Sequence, residues 1–146
     1  MHRIFGKQEK EVGFYRPGAY LIPVRDGNVA VAKVLDRLYL LGGGIEGDET
    51  QEACIHRECL EEAGYSCEIN GPLASAEWYV LDEKQVQHHY PQYYYWGTLL
   101  EKKNEPTECD HELVWIPMEQ LRGKMHLEMQ NWALEQYWEK MNDDML

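Results

Sequence analysis

The segment from Gly43 to Tyr65, GGIEGDETQEACIHRECLEEAGY, constrains the fold of this chain more than any other stretch. It is entered through three consecutive glycines, Gly42-Gly43-Gly44. Such a run implies backbone conformations that a side chain would obstruct, or a close approach by a ligand. From about Thr50 the pattern turns helical and continues to Ala63, with Asp48 or Thr50 as N-cap and Gly64 as the C-terminal stop. On that helix Glu58, Glu61 and Glu62 stand at i, i+3 and i+4, which gathers their side chains on one face. At roughly 100° per residue, Ala53, His56, Leu60 and Ala63 fall on the other side, expected to pack on a sheet. Like charges at this spacing destabilise an isolated helix, so the cluster calls for a cation. An all-oxygen donor set suits a hard divalent ion, Mg²⁺ or Mn²⁺. Taken alone, Glu-x-x-Glu-Glu has a simpler account as a solvated acidic face.

Around this helix the chain reads as strands. Ala19–Val24 and Asn28–Leu35 are rich in β-formers and flank Arg25-Asp26-Gly27, a hairpin signal. Arg37–Leu41 predicts a short strand ending at the glycines. Further strands are expected at Ser66–Ile69, Leu73–Leu81, Tyr93–Leu100 and Leu113–Ile116, with turns at Asn70-Gly71-Pro72 and Asn104-Glu105-Pro106. Met118–Leu121 reads as a short helix. A closing helix runs from about Met125 to Met141, with Leu127, Leu134, Trp138 and Met141 as its apolar stripe. Strands around an inserted helix, with a terminal helix, give an α/β class with a mixed sheet between helices.

The chain has 146 residues, enough for one domain over 1–146, whose first 14 residues read as an edge strand or a flexible arm. A net charge of −12 argues against unassisted binding to polymeric nucleic acid. It leaves room for a small phosphorylated substrate whose bound cations reverse the local sign. Cys54, Cys59, Cys67 and Cys109 form no C-x-x-C pair, so free thiols are expected rather than a zinc site. No apolar run suggests a signal peptide or a membrane span, so a soluble, cytoplasmic protein is expected.

The spacing Gly43, five residues, Glu49, seven residues, then Arg57-Glu58-Cys59-Leu60-Glu61-Glu62-Ala63-Gly64-Tyr65 resembles the Nudix box, G-x5-E-x7-R-E-U-x-E-E-x-G-U, where U is bulky and apolar. Its invariant positions are all filled, across 23 residues. Cys59 and Tyr65 are unusual at the U positions, Leu41 stands where many members have proline, and Gly47-Asp48 replaces the more usual x-Gly. Glu46 matches an acid often found in the loop. The resemblance implies an α/β/α sandwich with the box as loop, helix and loop. The activity it implies is metal-dependent hydrolysis of a nucleoside diphosphate linked to another moiety. By position, Glu58, Glu61 and Glu62 would bind Mg²⁺ or Mn²⁺, and Glu61 would help deprotonate the attacking water. Arg57 would orient the glutamates, Glu49 would support the helix or the metal's outer shell, and Gly43, beside Gly44, would contact metal or phosphate.

Two regions outside the box supply further candidates. In His88-His89-Tyr90-Pro91-Gln92-Tyr93-Tyr94-Tyr95-Trp96, Tyr93 and Tyr95 share a strand face. They are candidates, with Trp78, for stacking on a nucleobase. An aromatic-rich strand packed between helices is the simpler account. His88 and His89 read as exposed loop histidines. An acid outside the box often serves as base in the family; Glu108 and Glu112 are the candidates, with Glu105 and Asp110 nearby. A nucleoside triphosphate leads among substrates. The alternatives are a catalytically weak module that binds a nucleotide to regulate a partner, and a plain divalent-cation binder. The resemblance and the aromatic surplus allow a homodimer, with no segment marking its interface.

Overall fold

The computed structural model describes residues 1–108 and 110–144; Cys109, expected as a free thiol, lies outside them. Its elements are β1 (His2–Gly6), β2 (Val12–Tyr15), β3 (Gly18–Arg25), β4 (Asn28–Val34), β5 (Arg37–Tyr39), β6 (Leu41–Gly44), α1 (Gln51–Ala63), β7 (Tyr65–Leu81), β8 (Gln87–Lys102), β9 (Glu112–Pro117), α2 (Met118–Leu121) and α3 (Glu128–Asp144). The mixed sheet has the order β1-β7-β8-β3-β4-β5, with β2 paired to β8, β6 to β3 and β9 to β4. Strands β1 and β7, β2 and β8, and β3 and β8 pair in parallel.

Alternation along the central strands builds two cores. Ile22, Val29, Val31 and Tyr94 face α3 and pack with Ala133 and Leu134. Leu21, Ala30 and Ala32 face the other way, against Cys54, Ile55 and Cys59 of α1. One side of β4 thus carries valines and the other alanines, and the small side lets α1 approach closely. The β3–β4 turn has positive φ at Asp26 (51°) and Gly27 (80°), the geometry that matches strand twist in a two-residue hairpin.

Several expectations are revised. Arg37–Leu41 is two strands, because the glycines continue as β6 and pair Gly43 with Ala19 and Gly42 with Tyr20. The turn expected at Asn70-Gly71-Pro72 is a pair of register shifts inside one 17-residue strand, β7. His88 and His89 lie within β8, half-buried, and not in a loop. Their ring nitrogens contact Asp82 (2.9 Å) and Glu77 (2.9 Å) respectively. The first residues are strand: β1 pairs along β7 at the sheet edge and β2 along β8. The buried face of α1 is Cys54, Ile55, Cys59, Ala63 and Glu62, whereas Ala53 and His56 are exposed. The glutamates border the packed face instead of opposing it, because the site is wedged between α1 and β6. Cys54, Cys59 and Cys67 are free and buried. No described helix is long and apolar enough to cross a membrane.

Candidate active site

Helix α1 starts where Thr50 accepts a hydrogen bond from Ala53 N (3.0 Å) and stops at Gly64, which is left-handed at φ 75°. Between these caps Arg57 organises the acids. Its Nε and Nη2 donate to the two oxygens of Glu49 (2.8 and 2.9 Å), a bidentate pair. Nη1 reaches Glu58 (2.6 Å) and Glu61 (3.1 Å), and Nη2 also donates to the Gly44 carbonyl (3.0 Å). Arg57 therefore ties the glycine strand, the loop and the helix together. Glu49 accepts from Glu46 N as well, and its carboxyl is held down to about 2, chiefly by the Arg57 hydrogen bonds.

The other acids sit in poorer surroundings. Glu62 is 7% exposed, and Glu62 Oε1 accepts from Gly42 N (2.7 Å). Burial raises its pKa well above the ordinary carboxylate value. Glu58 is pushed up to about 7, first by burial and then by its hydrogen bond to Glu61. The Glu58 carboxylate lies against Gly43, where an added Cβ would come within 2.5 Å of Oε2. Gly42, at φ 147°, would drive a Cβ into the Ala19 carbonyl. Each glycine thus serves a different close approach: Gly42 to β3, Gly43 to Glu58 and Gly44 to the Arg16 guanidinium. Desolvated carboxylates with one arginine and one backbone N–H to balance them are a fitting donor set for a hard divalent cation.

The segment after β8 is drawn onto the helix end. Thr107 N and Glu108 N donate to the Glu61 carbonyl (2.9 and 3.1 Å), and Lys103 N donates to that of Gly64 (2.7 Å). This sets Glu108 on the wall of a cleft of about 400 Å³, together with Glu46, Glu58 and Glu61. Arg16, Tyr20, Tyr90 and Gln92 line the same cleft. Among the described residues, the trio whose donor atoms lie within 4.8 Å of one another is Glu108, Asp110 and His111, rather than the three helix glutamates. His111 Nε2 joins this group to the box, 3.5 Å from Glu62 Oε2.

The aromatic candidates are placed elsewhere. Tyr93 and Tyr95 are absent from the cleft wall; the Tyr95 hydroxyl donates to Gln51 of α1 (2.6 Å). Alternation puts them on the face opposite Tyr90 and Gln92. Trp78 stands one ring behind the wall, 5.3 Å from Tyr90. Glu112 opens β9 opposite Lys33 and lies away from the cleft, and Glu105 pairs with Lys102 (3.0 Å).

A profile of the NUDIX domain matches residues 15–136. The chain belongs to the Nudix family. Solved structures share the fold: a NUDIX hydrolase from Nitrosomonas europaea superposes with a TM-score of 0.72 at 14% identity, covering 86% of this chain and 89% of that one. A MutT NUDIX hydrolase from Burkholderia pseudomallei gives 0.68 at 25% identity, over 84% and 97%. A protein named UDP-X diphosphatase gives 0.66 at 19% identity, over 92% and 68%. No curated protein matches the sequence.

Four wall residues of this Nudix domain escape a reading of the sequence by motif. Arg16 lies where the partner of β8 changes from β2 to β3, its backbone N bonding to the His89 carbonyl (3.1 Å) and its guanidinium against Gly44. Pro91 occupies the gap between those two pairings, so a strand that seemed to begin after the proline begins at Gln87. With the strand extended, Tyr90 and Gln92 acquire one face. Tyr20 follows from the same alternation in β3.

Proposed function

We propose that this Nudix pyrophosphohydrolase cleaves the phosphoanhydride of a nucleoside diphosphate derivative, with a nucleoside triphosphate as the leading substrate and Mg²⁺ or Mn²⁺ held by Glu58, Glu61 and Glu62. The observation that carries this reading is a cleft lined both by acids, Glu46, Glu58, Glu61 and Glu108, and by Arg16 and Gln92, with the Arg16 guanidinium lying against Gly44. Arg16 makes no side-chain hydrogen bond or ion pair among the described residues, in a chain of net charge −12. An unspent guanidinium in the same cleft as a carboxylate cluster suits a phosphate held between that cation and a metal ion on the acids.

When bound, the cation would neutralise charge on the phosphoryl oxygens and lower the pKa of a coordinated water. The chain's own groups supply the rest. Arg16, against Gly44, holds non-bridging oxygens. Gln92 is 3% exposed, and its Oε1 is engaged by the Tyr94 hydroxyl, so its amide nitrogen is the end that remains to donate. Arg57 orients the Glu61 carboxylate, which then accepts a proton from the attacking water. Glu108 stands on the same wall as a second acceptor.

The test is release of phosphate or pyrophosphate from a nucleotide panel, with Mg²⁺, with Mn²⁺ and with chelator. Cation-dependent release is expected. Nucleotide-induced stabilisation without release would favour a binding module, and stabilisation by cation alone a structural role.

A further inference from the structure

A hydrogen-bonded chain of three side chains runs from the turn between β7 and β8 to the cleft. Asp82 Oδ1 accepts from Lys84 N (2.8 Å) and Val86 N (3.0 Å), which fixes the turn, and its Oδ2 lies 2.9 Å from His88 Nε2. On the other side of the ring, His88 Nδ1 is 2.6 Å from the Tyr90 hydroxyl. Tyr90 lines the same cleft as Arg16 and Gln92, whereas Asp82 and His88 stand behind it. The His88 side chain is 17% exposed, with the Phe14 ring against it at a centroid distance of 4.8 Å.

The protons of this chain can be assigned in order. The Asp82 carboxyl is held below the ordinary carboxylate value, first by the Val86 N–H and then by the His88 ring, so it is ionised and only accepts. His88 Nε2 must then carry a proton. In the neutral ring Nδ1 is left as an acceptor, and the Tyr90 O–H donates to it. Burial raises the Tyr90 hydroxyl above its usual range, against the pull of the nearby Arg16 cation, so the phenol keeps its proton. In this state Tyr90 offers the cleft only lone pairs, which a phosphate oxygen cannot use. A protonated ring reverses the polarity: Nδ1–H donates to the Tyr90 oxygen, and the phenolic O–H is free to donate into the cleft. Asp82 favours that imidazolium as an adjacent carboxylate. The groups that face His88 are Asp82 from the turn, Tyr90 from its own strand, and the apolar Phe14 and Val80 opposite it on β2 and β7. Arg16 lies beyond Tyr90, and Glu83 and Lys84 of the turn are exposed.

Resting on the hydrolytic reading, which puts a phosphate beside Arg16, we propose that Tyr90 is a proton-gated phosphate donor: substrate binding takes up one proton from solvent at His88, which frees the Tyr90 hydroxyl to bond a phosphate oxygen. Tyr90 is then a substrate-binding group, and His88 with Asp82 a positioning pair that acts through it. The coupling is reciprocal: if the imidazolium form binds phosphate better, bound phosphate keeps the ring protonated to higher pH. Affinity is therefore full in acid and falls as pH rises through the range in which the ring of the complex loses its proton.

NMR of the histidine ring nitrogens, assigned through bonds, tests this in Mg²⁺. The probes are the non-hydrolysable α,β-methylene triphosphates of adenosine, guanosine, cytidine and uridine. In the free protein at alkaline pH, His88 is expected as the Nε2–H tautomer. At the lowest pH where that free ring is neutral, saturation with a probe that binds is expected to protonate Nδ1 as well. In Tyr90→Phe the probe is expected to bind without this uptake. Calorimetry should show the wild-type Kd rising between pH 6 and 8 by about tenfold more than that of the variant. A purely structural His88–Tyr90 contact would move neither readout. An Nδ1–H tautomer in the free protein, or uptake that persists in Tyr90→Phe, overturns the proposal. A probe that binds while His88 stays neutral also overturns it and leaves the hydrolytic reading standing. Failure of every probe to bind removes the phosphate site on which both rest. Should Tyr90→Phe fail to fold, the wild-type spectra alone decide.

Discussion

Replacing Glu49 by Gln tests the claim that Arg57 is held by one dominant bidentate pair. In the wild type both Glu49 oxygens accept from Arg57 (2.8 and 2.9 Å) and one also takes Glu46 N. Glutamine keeps one acceptor and turns an N–H₂ toward the guanidinium, so at least one charge-assisted bond is lost. The carboxyl is lowered from 4.5 to about 2, which corresponds to a ceiling of ~3 kcal/mol by linkage. Solvent at the rim, where the neighbouring Glu46 side chain is 65% exposed, reduces this to about 1–2 kcal/mol. The sign follows from a depressed folded-state value: the contribution is full above 4.5 and disappears as pH falls toward 2. Urea unfolding of both proteins at pH 7, 5 and 3.5 is the assay. The expected gap is full at pH 7 and narrower at pH 3.5. A gap below about 0.3 kcal/mol at pH 7, or one that widens on acidification, would refute the reasoning.

Arg16→Ala is expected to raise KM about 10- to 100-fold with a smaller effect on kcat, since a charge-assisted phosphate contact is removed; an unchanged KM in steady-state assays contradicts the assignment. Gly43→Ala pushes on Glu58 Oε2, which an added Cβ would approach to 2.5 Å. The carboxylate tip can swing aside, so kcat/KM should fall by about 10-fold or more while the melting temperature changes by only a few degrees. Glu58, pushed up to about 7, favours the folded state below 4.5 and loses that contribution as pH rises through 7. Thermal unfolding in chelator should therefore show this contribution fading from pH 5 to 8, while stabilisation by Mg²⁺ grows over the same range. Mg²⁺ stabilisation independent of pH contradicts it.

The acidic helix is legible because its determinants are local: Thr50 and Gly64 cap it, and Arg57 bonds Glu58 and Glu61 one and four residues on. What lay across the sheet was hidden. The strand expected from Tyr93 begins at Gln87, because Pro91 sits where β8 changes neighbours from β2 to β3. Alternation pairs Tyr93 with Tyr95, but Tyr95 packs with α1 and its hydroxyl bonds to Gln51. Arg16 carries no motif; a chain switch between strands aims it. The azimuth of α1 was misjudged because Glu62 reads as a polar surface residue and is buried instead.

The most direct test of the central claim is cation-dependent release of phosphate or pyrophosphate from nucleoside triphosphates by the wild type, Glu61→Gln and Glu62→Gln, with circular dichroism to verify folding. The account predicts release that chelator abolishes and that each substitution lowers by at least about 10²-fold in a folded protein. Full release by both variants, or release untouched by chelator, would contradict it.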